Sequence, residues 1–435
     1  MTEHEKIDVT IDDKHIESNS SLDYDAQKLQ DLGYKQEFKR EISLFAQIGF
    51  LFTSMAVLPN WMLGFGLSIN AGGPSSLFWG WIVVSPFVCC IALSMAEVIS
   101  AYPLEGGVFS WTLLLSNKKR GPLFWTGLGT IAILCTVPAM APKYNSAKWV
   151  FTEFTNNTGY ESVVMVFFVG MLQAGWSLSG YVCGAQIVEG TKRADVTAPR
   201  GIIICVTGVI LQGLVIILIT LFSIQDIDEL IASKTPISTF FLRATNSPRL
   251  TAFFLIMLLF AQFGSLCNTI LATSHFTFAF ARDGCLPFSS YFSKLSEKTR
   301  APERALIAQL IISILIIMPN FASEIYWQAI MSATIIAINI AYGMPFVCRL
   351  LWVRNDMPRG PFSLGRFGLV LNFISVVWIS FFSVILCIPS VSPVTPETMN
   401  WASAMIGGVL MFSLLFWFIS GRKNYEEKIN SVEKQ

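Results

Sequence analysis

Polar and apolar positions segregate along this chain in long blocks. Ten apolar runs stand out, at about residues 43–70, 77–101, 122–141, 161–188, 201–225, 251–281, 305–322, 325–348, 367–390 and 399–420. No Asp, Glu, Lys or Arg occurs between Glu41 and Glu97, a length that crosses a bilayer twice at about 20 residues per crossing. The pattern predicts an all-α integral membrane protein of about ten transmembrane helices. Residues 1–42 form a polar N-terminal tail, 43–420 the membrane domain and 421–435 a polar C-terminal tail. The first apolar run is too long for the core of a cleavable signal, so the N-terminal tail is expected to be a loosely ordered cytosolic arm.

Composition agrees with this division. Of 435 residues, 53% are hydrophobic and only 14% charged, where soluble domains carry roughly a quarter. The formal net charge of +1 offers no basic face for nucleic acid. Nine cysteines, none in a CxxC pair, and three histidines (His4, His15, His275) supply neither a zinc site nor the ligands of a haem or di-metal enzyme. No metal, no cofactor and no catalytic residue is expected. Twenty-five of the 30 Lys and Arg residues fall in the tails and even-numbered loops, which places both termini in the cytosol by the positive-inside rule. The Asn156-Asn157-Thr158 sequon then lies on the outer face.

Two apolar runs carry residues that interrupt a helix. The first contains Gly49, Ser54, Pro59, Asn60, Gly64 and Gly66. The fourth reads Gly175-Trp176-Ser177-Leu178-Ser179-Gly180-Tyr181-Val182-Cys183-Gly184. Pro59 removes a donor and clashes with the preceding turn. Small residues also permit close helix packing, but two interruptions near mid-membrane suit a transporter built on discontinuous helices. Half-helix N-termini can hold a carboxylate, while freed carbonyls and the hydroxyls of Ser54, Ser177, Ser179 and Tyr181 can meet an ammonium. Trp61, Trp176 and Tyr181 could also cage a quaternary amine. Few ionisable groups lie within or at the ends of spans. Glu97 and Glu189 either serve ion coupling or sit at cytosolic helix ends, and His275 is either a proton-coupling group or a packing histidine. Thr273 and Ser274 offer hydroxyls of the kind a sodium site uses.

The run Cys267-Asn268-Thr269-Ile270 through Phe276-Thr277-Phe278-Ala279-Phe280-Ala281-Arg282-Asp283-Gly284-Cys285-Leu286-Pro287-Phe288 resembles a signature of the amino acid–polyamine–organocation superfamily. More narrowly it resembles the fungal amino acid/choline transporters, which include GABA and choline permeases. Gly72-Gly73-Pro74 with Trp79-Gly80-Trp81, Glu97 through Tyr102-Pro103 to Gly106-Gly107, and Ala198-Pro199-Arg200-Gly201 agree, and the likeness covers about residues 30–420. The resemblance implies an inverted-repeat transporter fold of five plus five spans with two more, twelve in all, whose first and sixth spans are discontinuous. It implies amino acids, GABA, choline or polyamines as substrates, moved with a proton or sodium. Carried onto this sequence, the first break falls on Ser54, Met55, Ala56, Pro59 and Asn60, and the second on Trp176, Ser177, Ser179, Gly180 and Tyr181. Where the family often carries Arg in the Phe-Thr-Phe run, this chain has His275. Lys118 to Pro122 resembles the lead-in to the family's third span, yet Leu123 to Tyr144 resembles its fifth. The third and fourth spans are therefore expected to be absent, which makes segments one and four the discontinuous pair.

The function expected is a secondary active permease, with a proton as the expected coupling ion, working by alternating access in the plasma or a vacuolar membrane. The competing expectations are a non-transporting membrane sensor or scaffold, and an inactive truncated permease.

Overall fold

The computed structural model describes residues 24, 26–27, 42–101, 132–282, 286–296, 302–321, 324–354, 360–396, 398–416 and 418–419. The expected deletion point at 118–124, most of both tails and Asp283-Gly284-Cys285 lie outside these residues. In chain order the main helices are α1 (Leu44–Met55), α2 (Val57–Asn70), α3 (Gly73–Ala101), α4 (Val163–Ser177), α5 (Ala194–Ser223), α6 (Ile227–Ala232) and α7 (Pro236–Thr245). They continue as α8 (Pro248–Arg282), α9 (Glu303–Ile317), α10 (Glu324–Cys348), α11 (Phe367–Ile385) and α12 (Ala402–Phe416). A further helical stretch occupies 132–140. Among the described residues six helices are long and apolar enough to cross a bilayer, and α4 and α12 are shorter apolar helices.

Apolar side chains cover the outside as well as the inside. Helix α9 buries only Ala305, while Ile307, Ile311, Ile314 and Leu315 are exposed. Phe253, Phe260 and Phe263 on α8 and Phe412 on α12 are exposed too. A water-soluble protein does not present apolar patches of that extent, so these faces belong against lipid.

Between helices, small residues let large ones approach, the packing mode that substitutes for hydrophobic burial inside a membrane. The Trp81 ring on α3 lies over Gly213 of α5, and its Nε1–H donates to Ile210 O at 3.1 Å. A Cβ on Gly80 would come within 2.9 Å of Met171 Cβ on α4. On the far side of α3, Phe87 and Trp378 of α11 stack with centroids 3.9 Å apart.

Both expected interruptions are present. Helix α1 starts where the Ser43 hydroxyl accepts the Ala46 N–H at 3.3 Å, and ends at Ala56, which adopts a left-handed conformation (φ 39°, ψ 48°). Helix α2 then begins at Val57. The break therefore sits on Ala56 and not on Pro59. Pro59 is the third residue of α2, where its missing N–H is one that the helix would leave unpaired anyway. Segment four is α-helical only to Ser177. Gly180 has φ 97°, and Tyr181–Gly184 and Val188–Gly190 are tight 3-10 turns.

The start of the first broken segment and the end of the fourth are joined by main chain. The Ile42 N–H donates to Gly190 O and the Lys192 N–H to Ile42 O, each at 3.0 Å. Gln47 Nε2 adds a bond to Gly184 O at 3.4 Å. Beyond the first break, α7 turns Phe240 and Phe241 inward onto Phe65 and Phe254, and Pro236 packs on Gly66. Exposed Arg243 grips Glu229 of α6 through two hydrogen bonds of 2.6 and 2.7 Å, which raise the guanidinium pKa.

Candidate functional site

The two breaks meet. A Cβ built on Gly180 would lie 3.3 Å from Ser54 O and 3.4 Å from Met55 Cα. Only glycine combines that contact with a positive φ at low cost. Ser54, Met55, Ala56, Gly180 and Tyr181 are thereby brought together, and Pro59 and Asn60 follow in the first turn of α2.

Breaking a helix frees carbonyls, and inside a membrane each needs a donor. Ser54 O receives the Ser265 hydroxyl of α8 at 3.1 Å. One turn earlier, Phe50 O, which lies inside α1, also receives Asn268 Nδ2 at 3.4 Å. Met55 O is taken by Asn60 Nδ2 at 2.9 Å. Asn60 O and Trp61 O accept from Gln173 Nε2 of α4 at 2.9 and 3.4 Å, in space that Gly64 leaves open. Gln173, Ser265 and Asn268 were not among the sequence candidates. A polar residue in an apolar run is the signal that could have found them.

The expected hydroxyls are engaged as donors. Ser54 Oγ donates to Phe50 O at 2.8 Å and Ser179 Oγ to Trp176 O at 2.7 Å. Ser177 Oγ accepts from Gln173 Nε2 at 3.2 Å. A hydroxyl that donates to a carbonyl keeps its acceptor lone pairs, so Ser54 and Ser179 can still receive an ammonium N–H. No side chain caps the N-terminus of α2, and the N–H groups of Val57 and Leu58 fall in its uncapped first turn.

The aromatic trio is not brought together among the described residues. Trp61 packs on Phe65 with centroids 5.3 Å apart, and Tyr181 packs on Tyr342 of α10 at 5.5 Å. Trp176 is partly buried at the edge of the core.

The ionisable candidates divide. Glu97 is 2% exposed near the C-terminal end of α3, where Arg349 Nη1 donates to its Oε2 at 2.5 Å. Its other oxygen accepts from Leu364 N at 3.1 Å and Ser363 Oγ at 3.3 Å. Gly368 permits this approach, since a Cβ there would lie 2.6 Å from Glu97 Oε2. Glu97 is thus tied to the C-terminal end of α10 and the N-terminal end of α11. Nearby, Ser100 Oγ donates to Asp195 O at 2.8 Å and accepts the Phe362 N–H at 3.0 Å. The Glu189 side chain lies outside what is described.

His275 is buried on the α8 stripe that also carries Ser265, Asn268, Ala272 and Ala279. Thr273 Oγ donates to Thr269 O at 2.8 Å, and Ser274 Oγ to Leu271 O at 2.7 Å. Both hydroxyls are taken up by their own helix, whereas the α8 donors that reach α1 come from Ser265 and Asn268. Among the described residues no group of three His, Cys, Asp or Glu side chains is placed to hold a metal.

The sequence comparisons accord with this geometry. The amino acid permease family model matches residues 42–152 and 123–411, two pieces that overlap. The chain is 27% identical to the amino-acid permease BAT1 homologue of Oryza sativa subsp. japonica, covering 93% of this chain and 96% of the relative. It is 27% identical to an uncharacterised amino-acid permease of Schizosaccharomyces pombe, covering 95% and 92%. It is 26% identical to the choline transporter of Saccharomyces cerevisiae, covering 84% and 79%. The alignment to the rice protein runs over 498 positions, although this chain has 435 residues, so a block of the relative has no counterpart here. With the family match spanning residues 42–411 and two broken helices meeting where Gly180 approaches Ser54 and Met55, this integral membrane protein belongs to the amino acid permease family.

Proposed function

We propose that the chain is a secondary active permease that moves an amino acid, or a related amine such as GABA or choline, by alternating access. Cargo binds at the joint formed by Ser54, Met55, Ala56, Pro59 and Asn60 with Trp176, Ser177, Ser179, Gly180 and Tyr181. The observation that carries this reading is the close approach of Gly180 to the Ser54–Met55 main chain, which leaves room for little more than its hydrogen. It makes the two unwound stretches one polar surface within an apolar protein. Main-chain groups and hydroxyls do the binding there, so the site needs no charged side chain and no catalytic step. Relatives named for amino acids and for choline support a small zwitterionic or cationic amine as cargo.

Proton coupling is favoured over sodium. The carbonyls at the α1–α8 crossing already receive donors from Ser265 and Asn268, which leaves fewer acceptors for a metal cation. His275 on the same stripe is the first candidate carrier. The charge asymmetry of the loops supports cytosolic termini.

Uptake of labelled amino acids, GABA and choline into cells expressing the chain at the surface tests the reading. Saturable uptake that a pH gradient drives is the expected result, and surface expression without uptake of any of these rejects it. A second reading has its own support: the 498-position alignment for a 435-residue chain fits the absence of the family's third and fourth spans, and so an inactive shortened permease. Sequencing the transcript across codons 118–124 decides whether those spans are encoded.

A further inference from the structure

Tyr342 on α10 is 6% exposed, and its hydroxyl has no hydrogen-bond partner among the described residues. Leaving such a group unpaired costs about 1–3 kcal/mol in a protein interior, so a buried phenol without a partner calls for a reason. Its position supplies one. The Tyr342 ring lies 5.5 Å from that of Tyr181, centroid to centroid, with the planes at 50°. Tyr181 opens the turn directly after Gly180, the residue that touches Ser54 and Met55. A third element thus sets a phenol against Tyr181, the residue next to the joint of the two breaks.

The hydroxyl differs from two serine hydroxyls there. Those of Ser54 and Ser179 have already donated their protons to carbonyls and can only accept. The Tyr342 proton is unspent. An amino acid brings both kinds of group: an ammonium that needs acceptors, and a carboxylate that needs donors. An O–H to carboxylate bond is short and about twice as strong as a neutral one, and choline has no carboxylate to receive it.

We propose that Tyr342 Oη donates to the carboxylate of the substrate at the Gly180–Ser54 joint, and so makes this permease select a zwitterionic amino acid over choline. The inference rests on the permease reading above and deepens it. Tyr181 and Tyr342 then form an aromatic wall beside the cargo, while the serine hydroxyls accept from its ammonium.

The test is ligand-induced thermal stabilisation of the purified full-length chain in detergent, with alanine, GABA, their carboxyl-free counterparts ethylamine and propylamine, and choline as probes. The wild type is expected to be stabilised by alanine or GABA far more than by the matching amine. Tyr342→Phe keeps the ring and removes only the hydroxyl. It should weaken carboxylate binding by about 10- to 100-fold, the range of a hydrogen bond to a charged group, and leave choline or amine binding unchanged. The ligand-free melting temperature should hold or rise, because an unpaired buried hydroxyl is lost. Equal weakening for all probes, or a drop in ligand-free stability, would make the hydroxyl structural and overturn the proposal. Unchanged amino-acid binding in the variant, or a wild type that binds choline but neither amino acid, overturns it and leaves the permease reading standing. A wild type that binds none of the probes removes both.

Discussion

Arg349 Nη1 donates to Glu97 Oε2 at 2.5 Å across 252 positions of sequence, with both side chains buried. The pair links the C-terminal end of α3 to that of α10, and the Leu364 N–H binds the second carboxylate oxygen. Removing one partner of a buried pair strands the other charge, which costs about 3–5 kcal/mol, whereas apolar replacement of both is often neutral. Arg349→Met is therefore expected to lower the melting temperature of the detergent-solubilised protein sharply, and Glu97→Leu with Arg349→Met to recover most of it. The pH profile of uptake should stay the same in the double variant. A changed profile would return Glu97 to the list of proton carriers.

Gly180→Leu should abolish uptake while the protein still inserts and reaches the surface, because the side chain would enter the joint between the breaks. Gly180→Ala is the finer test. A non-glycine residue at φ 97° carries backbone strain of about 1–3 kcal/mol, and its methyl would press on Ser54 O. Transport measured by radiolabel uptake should fall well below wild type at equal surface expression. Unchanged kinetics in either variant would take segment four out of the site.

Ser265→Ala removes the donor that Ser54 O receives from α8. Stranding that carbonyl should cost about 1–3 kcal/mol of stability, read from chemical or thermal unfolding in detergent. Thr273→Ala serves as the contrast. Its hydroxyl bonds only within its own helix, so stability and uptake should change little. Equal effects from the two would mean that the α1–α8 crossing does not depend on Ser265.

The existence of the breaks was legible because glycine and proline carry their backbone preferences in the sequence. The exact point of the first was not. Ala56 is an ordinary residue in a left-handed conformation that tertiary packing imposes, and Pro59, the obvious suspect, fits inside the first turn of α2. The partners of the freed carbonyls were hidden for the same reason: until Ala56 is known as the break, nothing singles out Ser54 O as needing Ser265. Glu97 was visible as an ionisable residue at a span end, but its pairing with Arg349 depends on how helices distant in sequence come together. Tyr342 was invisible in the same way, since only the fold sets it against Tyr181.

The main-chain bonds between Ile42 and the Gly190–Lys192 stretch have a mechanical outcome. With Gln47 clasping Gly184 as well, these ends of the two interrupted spans are sewn into one lever. Neither can swing aside alone, so any opening past them has to run along the flanks of that lever.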